Sequence, residues 1–127
     1  MPRTNVDIVR ANSDAFSRRD LDAMLEYYSP DAVILDRRPV GWGEFRGHAT
    51  IGSYYQGIFD NASELNEDFE VVSEDGDTVI ASCRLTGTLA GQDDGPHVRL
   101  DYALRITLTD GLITTMEIFE DAAAAAL

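Results

Sequence analysis

Residues 18–36 read RRDLDAMLEYYSPDAVILD, and the way this stretch divides decides the fold. Asp20 is a good helix N-cap, and Leu21, Met24, Leu25 and Tyr28 follow as a three-four-seven stripe. Pro30 cannot continue a helix, so SPD stops it. AVILD, residues 32–36, then reads as a short buried strand that ends in a carboxylate. Upstream, Val6, Val9, Ser13 and Phe16 recur at helical spacing from Asn5 to about Arg18, with Ile8, Asn12 and Ala15 beside them. Downstream, a loop rich in arginine and glycine, RRPVGWGEFRG, leads to HATIGSYYQGIFDNA. This reads as a third helix with Ile51, Tyr54, Tyr55 and Ile58 on one side, weakened by its glycines.

The second half reads as strands. FEVVS, the turn EDGD and TVIASCRLTGTL form a hairpin by their turn chemistry. After a loop, AGQDDGP, Val98, Leu100, Tyr102, Leu104, Ile106 and Leu108 alternate with polar residues. The turn TDG then leads into LITTMEIFE. Helices first and hairpin-linked strands later predict an α+β fold, an antiparallel sheet covered by helices on one face. Neither an internal repeat nor a linker is visible. Residues 1–121 are expected to form a single domain, with 122–127 an alanine-rich, frayed tail.

Composition narrows the function classes. The chain has 127 residues, enough for one real core. Its net charge of −13, from 23 acidic and 10 basic residues, disfavours nucleic acid, whose phosphates demand a basic surface. No apolar run approaches a membrane span, and MPRTNVDIVR lacks the apolar core of a signal peptide, so a cytoplasmic location is expected. Cys83, the single cysteine, is expected to be a small buried hydrophobe.

The spacing D-x-x-A-x-x-x-x-Y-x-x-D-A-x-x-x-D from Asp20 to Asp36, the segment FRGHATIGSYYQGI and the terminal hairpin RITLTDGLITTMEIFED carry a resemblance. Together they resemble the SnoaL-like branch of the nuclear-transport-factor-2-like superfamily, which includes ketosteroid isomerases, polyketide cyclases and limonene epoxide hydrolases. The resemblance spans nearly the whole chain. It implies a conical, strongly curved antiparallel sheet wrapped around the N-terminal helices in a cystatin-like roll, with a deep pocket, in a bacterial homodimer. In the isomerases it places the proton-shuttling aspartate at Asp36 and one oxyanion-hole position at Asn12. The other falls at Ala103 or Leu104, with Tyr28 and Tyr55 as supporting tyrosines. The base is therefore present and the oxyanion acids are absent, which argues against a strict steroid isomerase. In the epoxide hydrolases it places the last acid at Glu117 and the arginine and first aspartate near Arg84 and Thr86. One acid of that set is lost.

Each candidate has a plainer reading beside the chemical one. Asp36, if it faces an apolar cavity, would be pushed toward a useful base; otherwise it caps the loop or pairs with Arg37 or Arg38. Arg37, Arg38 and Arg46 either grip an anionic or carbonyl-rich ligand or neutralise acids such as Glu44. The Arg37–Arg38 doublet cannot point both side chains inward. Trp42, between two glycines, is either a lid over the pocket entrance or an aromatic pinned to the core or a dimer contact. Glu117 either faces Asp36 across the pocket, so that two carboxylates divide acid and base roles, or meets solvent. His48 and His97 fit no metal-ligand spacing, and no phosphate-binding glycine loop is present.

The catalytic candidates are thus Asp36 and Glu117. Candidate substrate contacts are Asn12, Phe16, Tyr28 and Tyr55 on or beside the helices, with Arg37, Trp42, Arg84 and Phe119 elsewhere. Neither a cofactor nor a metal is expected. Two functions are in play. One is a cofactor-independent isomerase or cyclase moving protons on an oxygenated hydrophobic small molecule. The other is a non-catalytic ligand-binding or dimerisation module of the same fold.

Overall fold

The computed structural model describes residues 4–39, 43–89 and 97–126. Helix α1 (Asn5–Ser17) opens on a capping box, in which the Thr4 hydroxyl accepts from the Asp7 amide and the Asp7 carboxylate accepts from the Thr4 amide. Its stripe of Ile8, Val9, Asn12, Ser13, Ala15 and Phe16 is buried. Arg19, in the left-handed region, turns the chain into α2 (Leu21–Glu26), which Asp20 caps as its sequence implies.

Helix α2 is shorter than the stripe through Tyr28 suggests, and strand β1 (Tyr28–Asp36) begins before Pro30. The proline is tolerated because the β1 register is irregular between Tyr28 and Val33. A short edge strand, β2 (Gly43–Arg46), pairs with β1 over Val33–Asp36 where only a loop is expected from sequence. Gly47 then adopts a positive φ of 87° and starts α3 (His48–Asp60), a conformation glycine takes without strain.

Four long strands follow: β3 (Ala62–Asp75), β4 (Thr78–Leu89), β5 (His97–Thr109) and β6 (Leu112–Phe119). They join β1 and β2 in one curved, unclosed sheet of order β2-β1-β6-β5-β4-β3. The β3–β4, β4–β5 and β5–β6 pairs are antiparallel as expected, whereas β1 and β6 run parallel. Those two meet from opposite ends of the chain, so no hairpin dictates their direction. At Asp110–Gly111 both residues have positive φ, as the tight hairpin of TDG requires.

One face of the sheet is covered by α1–α3 and holds the core, in which Met24, Tyr28, Ile34, Ile51, Ile106 and Ile113 are completely or almost completely buried. Cys83 is buried there too, and burial pushes its thiol well above the ordinary range, so it packs as a hydrophobe. On the opposite face, the end of the chain is less frayed than its composition suggests. Ala122–Ala125 form one helical turn, α4, capped by Asp121, with Ala125 fully buried.

Gly87 marks a close backbone approach. A Cβ there would lie 2.6 Å from the Glu64 carbonyl oxygen, beside the register shift between Ala62 and Glu64. Backbone cannot swing aside as a side chain can. Gly87→Ala is therefore expected to destabilise the fold by about 2 kcal/mol, within the usual cost of overpacking. A lowered urea midpoint would show it; an unchanged midpoint would mean that β3 shifts freely.

Candidate functional site

Strand alternation builds the site. Leu65 and Glu67 of β3, Leu85 of β4, Tyr102 and Leu104 of β5 and Met116 of β6 share the face that looks toward the helices. They form one wall of a cavity of about 630 Å³. Asn12 and Phe16 of α1, Met24 of α2, and Tyr54, Tyr55 and Ile58 of α3 form the other. Arg38 lines the cavity just past the end of β1. The lining is mainly apolar and includes Leu89, Val98 and the half-exposed Leu100. A volume of this size holds a drug-sized organic molecule.

The polar groups inside fall into three sets. Glu67 is half-buried, and its carboxylate accepts hydrogen bonds from the Ser13 hydroxyl at 2.7 Å and from the Tyr102 hydroxyl. Burial raises its pKa above the ordinary glutamate value, against the lowering effect of those two donors. Burial also holds the Tyr102 phenol well above its usual range, with the Glu67 charge adding to the effect, so Tyr102 is a neutral donor.

The second set is a chain of neutral dipoles. Asn12 Nδ2 donates to the Tyr28 hydroxyl at 3.4 Å, and the Tyr28 and Tyr55 hydroxyls lie 3.1 Å apart. Both phenols are also 3.7 Å from Met116 Sδ, a weak acceptor. Desolvation raises Tyr28 to about 12 and Tyr55 well above its ordinary value, so both stay protonated. Asn12 Oδ1 is buried and has no partner among the described residues.

Asp36 and Arg38 make the third set. Asp36 Oδ1 accepts from Arg38 Nε at 2.9 Å and from the Arg38 amide at 3.2 Å, while Oδ2 accepts from Nη2 at 2.7 Å. The Asp36 side chain is 1% exposed and that of Arg38 is 23% exposed. The hydrogen bond to Asp36 raises the Arg38 pKa, so the guanidinium is always charged. It lies 6.0 Å from the centre of the Tyr102 ring.

Of the residues singled out from sequence, Asn12, Phe16 and Tyr55 line the cavity, and Tyr28 backs it through its hydroxyl. Asp36 does sit on the inward side of the sheet, in register with Ile118, but Arg38, which binds it, lines the cavity and Asp36 does not. Glu117 requires a correction. Met116 points inward, so its neighbour points out through the opposite face, where Glu117 pairs with Arg105 at 3.0 Å and Arg37 at 3.4 Å. Phe119 is on that outer face, with the Arg105 guanidinium 5.1 Å from its ring centre. Arg84 is exposed beside Asp101, and Arg37 is half-exposed. Glu117, Phe119, Arg84 and Arg37 are therefore remote from the cavity, for the same alternation that brings Tyr102 and Glu67 into it. Trp42 lies outside the described residues.

Arg46 pairs with Glu44 on the surface, His48 bonds to the Tyr28 carbonyl, and His97 bonds to Thr88. Among the described residues no group of three or more His, Cys, Asp or Glu is placed to hold a metal ion, and no helix is long and apolar enough to cross a membrane.

Glu67 is the residue that sequence reasoning missed. Its signal was the period-two row Leu65, Glu67, Phe69 and Val71, in which a carboxylate occupies an inward position.

An α+β fold with a curved sheet around a polar-tipped apolar hollow defines the class of protein. Residues 9–116 match the SnoaL-like domain family, and the chain belongs to it. No curated protein matches the sequence. Solved structures do: a putative polyketide cyclase from Xanthomonas campestris pv. campestris is 25% identical, with 94% of this chain and 92% of that one covered and a TM-score of 0.75. TerC, co-crystallized with polyporic acid, is 24% identical over 94% and 93% of the two chains, with a TM-score of 0.75. SalBIII, described as an epoxide hydrolase/cyclase-like enzyme in pyran ring formation in the polyether salinomycin, is 24% identical over 91% and 88%, with a TM-score of 0.76. Similarity at this level establishes the nuclear-transport-factor-2-like fold.

Because Glu67 has a raised pKa in the fold, ionising it costs stability. That stability is intact below the unfolded-state value and is lost as pH rises through the folded-state value. Glu67→Gln keeps an acceptor for Ser13 and cannot ionise. The difference in melting temperature, variant minus wild type, is expected to increase from pH 4 to pH 8. A constant difference across that range would show that Glu67 is solvated like a surface carboxylate.

Proposed function

We propose that this protein is a cofactor-independent isomerase or cyclase that moves a proton on a hydrophobic, carbonyl-bearing small molecule, with Glu67 as the general base. One observation carries this reading. A carboxylate with an elevated pKa lies in the wall of a largely apolar cavity, fixed by Ser13 and Tyr102. An elevated pKa strengthens the ionised form as a base, and two donors leave the carboxylate further lone pairs for a substrate proton. The SnoaL-like family membership supports the same class. So do structural neighbours described as a polyketide cyclase and a cyclase-like enzyme, and one co-crystallized with polyporic acid.

In the step itself, a Glu67 oxygen takes a proton from the carbon next to the carbonyl. The C–H electron pair becomes the enolate double bond, and negative charge passes from Glu67 to the substrate oxygen. Neutral donors already oriented in the cavity stabilise that charge without having to reorganise. If Tyr28 accepts from Asn12 and donates to Tyr55, the proton of Tyr55 is left for the substrate, with Met116 Sδ as its weak resting acceptor. The enolate then either recovers the proton at another carbon, which is isomerisation, or adds through carbon to a second carbonyl, which closes a ring and leaves an alkoxide that takes the proton back from Glu67. Neither outcome consumes an oxidant or reductant.

The alternative is a binding module without catalysis. It is favoured by Asp36, where the resemblance to ketosteroid isomerases puts their proton-shuttling aspartate, being engaged on both oxygens by Arg38. Deuterium exchange at the activated carbon of β-tetralone separates the two. Catalysed exchange is expected in the wild type and should rise with pH through a midpoint above that of an ordinary glutamate, about 4.3. Glu67→Gln should slow it by roughly 10²- to 10⁴-fold, the usual contribution of a general base. Exchange no faster than in buffer would leave the binding module.

A further inference from the structure

We infer that Arg38 is the receptor for a planar oxyanion on the ligand, a carboxylate or the enolate of a β-diketone, attached to a hydrophobic body, and that Asp36 is its positioning residue. The inference deepens the reading above, since it names the substrate class of the same cavity.

A guanidinium has five N–H donors arranged in two usable edges. Asp36 occupies one edge, taking Nε–H and one Nη2–H at 2.9 and 2.7 Å. The three remaining N–H groups, on Nη1 and the far side of Nη2, bond to no described residue. They form a two-pronged fork that matches the spacing of two coplanar oxygens. Arg38 lines the cavity, whose other polar side chains are Asn12, Tyr54, Tyr55, Asn61, Glu67 and Tyr102, and none of these hydrogen-bonds to it. A permanent cation with three of its five donors unspent, set at the edge of a largely apolar hollow, is a site built for an anion.

Asp36 explains why the cation stays in place. A free arginine side chain has many rotamers and would swing toward water. The bidentate bond, reinforced by the Arg38 amide, fixes the plane of the guanidinium two residues away. Taken for stability alone, such a pair gains little over apolar residues of the same volume. The strongly acidic chain does not oppose the assignment. Its charge of −13 repels an anion at long range, but salt screens that field beyond about 8 Å under physiological conditions. At contact the fork decides, because hydrogen bonds to charged groups are about twice as strong as neutral ones.

Isothermal titration of a naphthoate, its methyl ester and its carboxamide tests this directly, with a phenyl-substituted cyclic β-diketone titrated above and below its own pKa as the second source of the oxyanion. Wild-type protein is expected to bind the naphthoate roughly tenfold or more tighter than the ester or amide, the effect of one well-placed charge-assisted hydrogen bond. The β-diketone is expected to bind tighter when ionised. Arg38→Met, or Asp36→Asn with Arg38→Met should the single variant fail to fold, should remove both preferences. Asp36→Asn is the sharper probe. It makes the protein less negative by one charge, so simple electrostatics would tighten anion binding, whereas loss of positioning should weaken it. Equal affinity for acid and ester in the wild type, or tighter naphthoate binding in Asp36→Asn, would overturn the inference. The titrations do not depend on catalysis, so repeating them in Glu67→Gln keeps the two proposals apart. Anion preference without β-tetralone exchange would refute only the proton-transfer reading, and exchange without anion preference would refute only this one.

Discussion

A polar group inside an apolar hollow must find a partner or forgo its charge, and this cavity is organised by that requirement. Glu67 meets it partly by accepting from Ser13 and Tyr102 and partly by shifting toward its neutral form. Tyr28 and Tyr55 meet it through each other and Asn12. Asp36 meets it with a full cation. Each solution leaves something for a ligand: lone pairs on Glu67, the outer edge of Arg38 and, where Tyr28 donates to Tyr55, a Tyr55 proton held only by the weak acceptor Met116 Sδ. These remainders are what a ligand would meet, and they exist because the sheet curves away from the helices and leaves space that side chains do not fill.

Asp36 and Glu67 show how environment assigns different work to the same functional group. Both are carboxylates on the inward side of the sheet, and neither is well exposed. Arg38 binds Asp36 through both oxygens, which stabilises the charge and occupies the group. Glu67 has only neutral donors, so desolvation outweighs them and its pKa is raised. Two acids whose surroundings separate them in this way are the usual mark of divided roles in a site. Here the division is between holding a neighbour in place and handling a proton.

Much of the fold was legible because its signals are local. Asp20 caps a helix, Gly111 closes a hairpin, and the alternation from Val98 to Leu108 marks a strand without reference to anything distant. The parallel pairing of β1 with β6 and the edge strand around Phe45 depend on partners far along the chain, and the sequence near them carries no trace of that. Phe45 stacks on Tyr54 with ring centres 4.4 Å apart, a contact that makes sense of both residues only once β2 exists. Glu67 was hidden for a different reason. It sits in SELNED, between the stretch read as a helix and the FEVVS strand, and its period-two row with Leu65 and Phe69 gains a direction once those residues pair with Gly87 and Cys83 of β4.

The arginine doublet makes the limit of a sequence-only reading concrete. From the chain alone, alternation says only that Arg37 and Arg38 cannot share a side, and the choice of Arg37 as the substrate contact falls on the wrong one of the two. The structure breaks the tie through their acid partners. Arg37 reaches outward to Glu117, which Arg105 already engages, and adds one more link to an outer-face network. Arg38 turns back onto Asp36 and so stays at the cavity. Had β1 ended one residue earlier or later, the two arginines would exchange places, and with them the charge at the edge of the hollow. The register of a single strand end therefore fixes the electrostatic character of the site, which is a stronger constraint than the identity of either arginine.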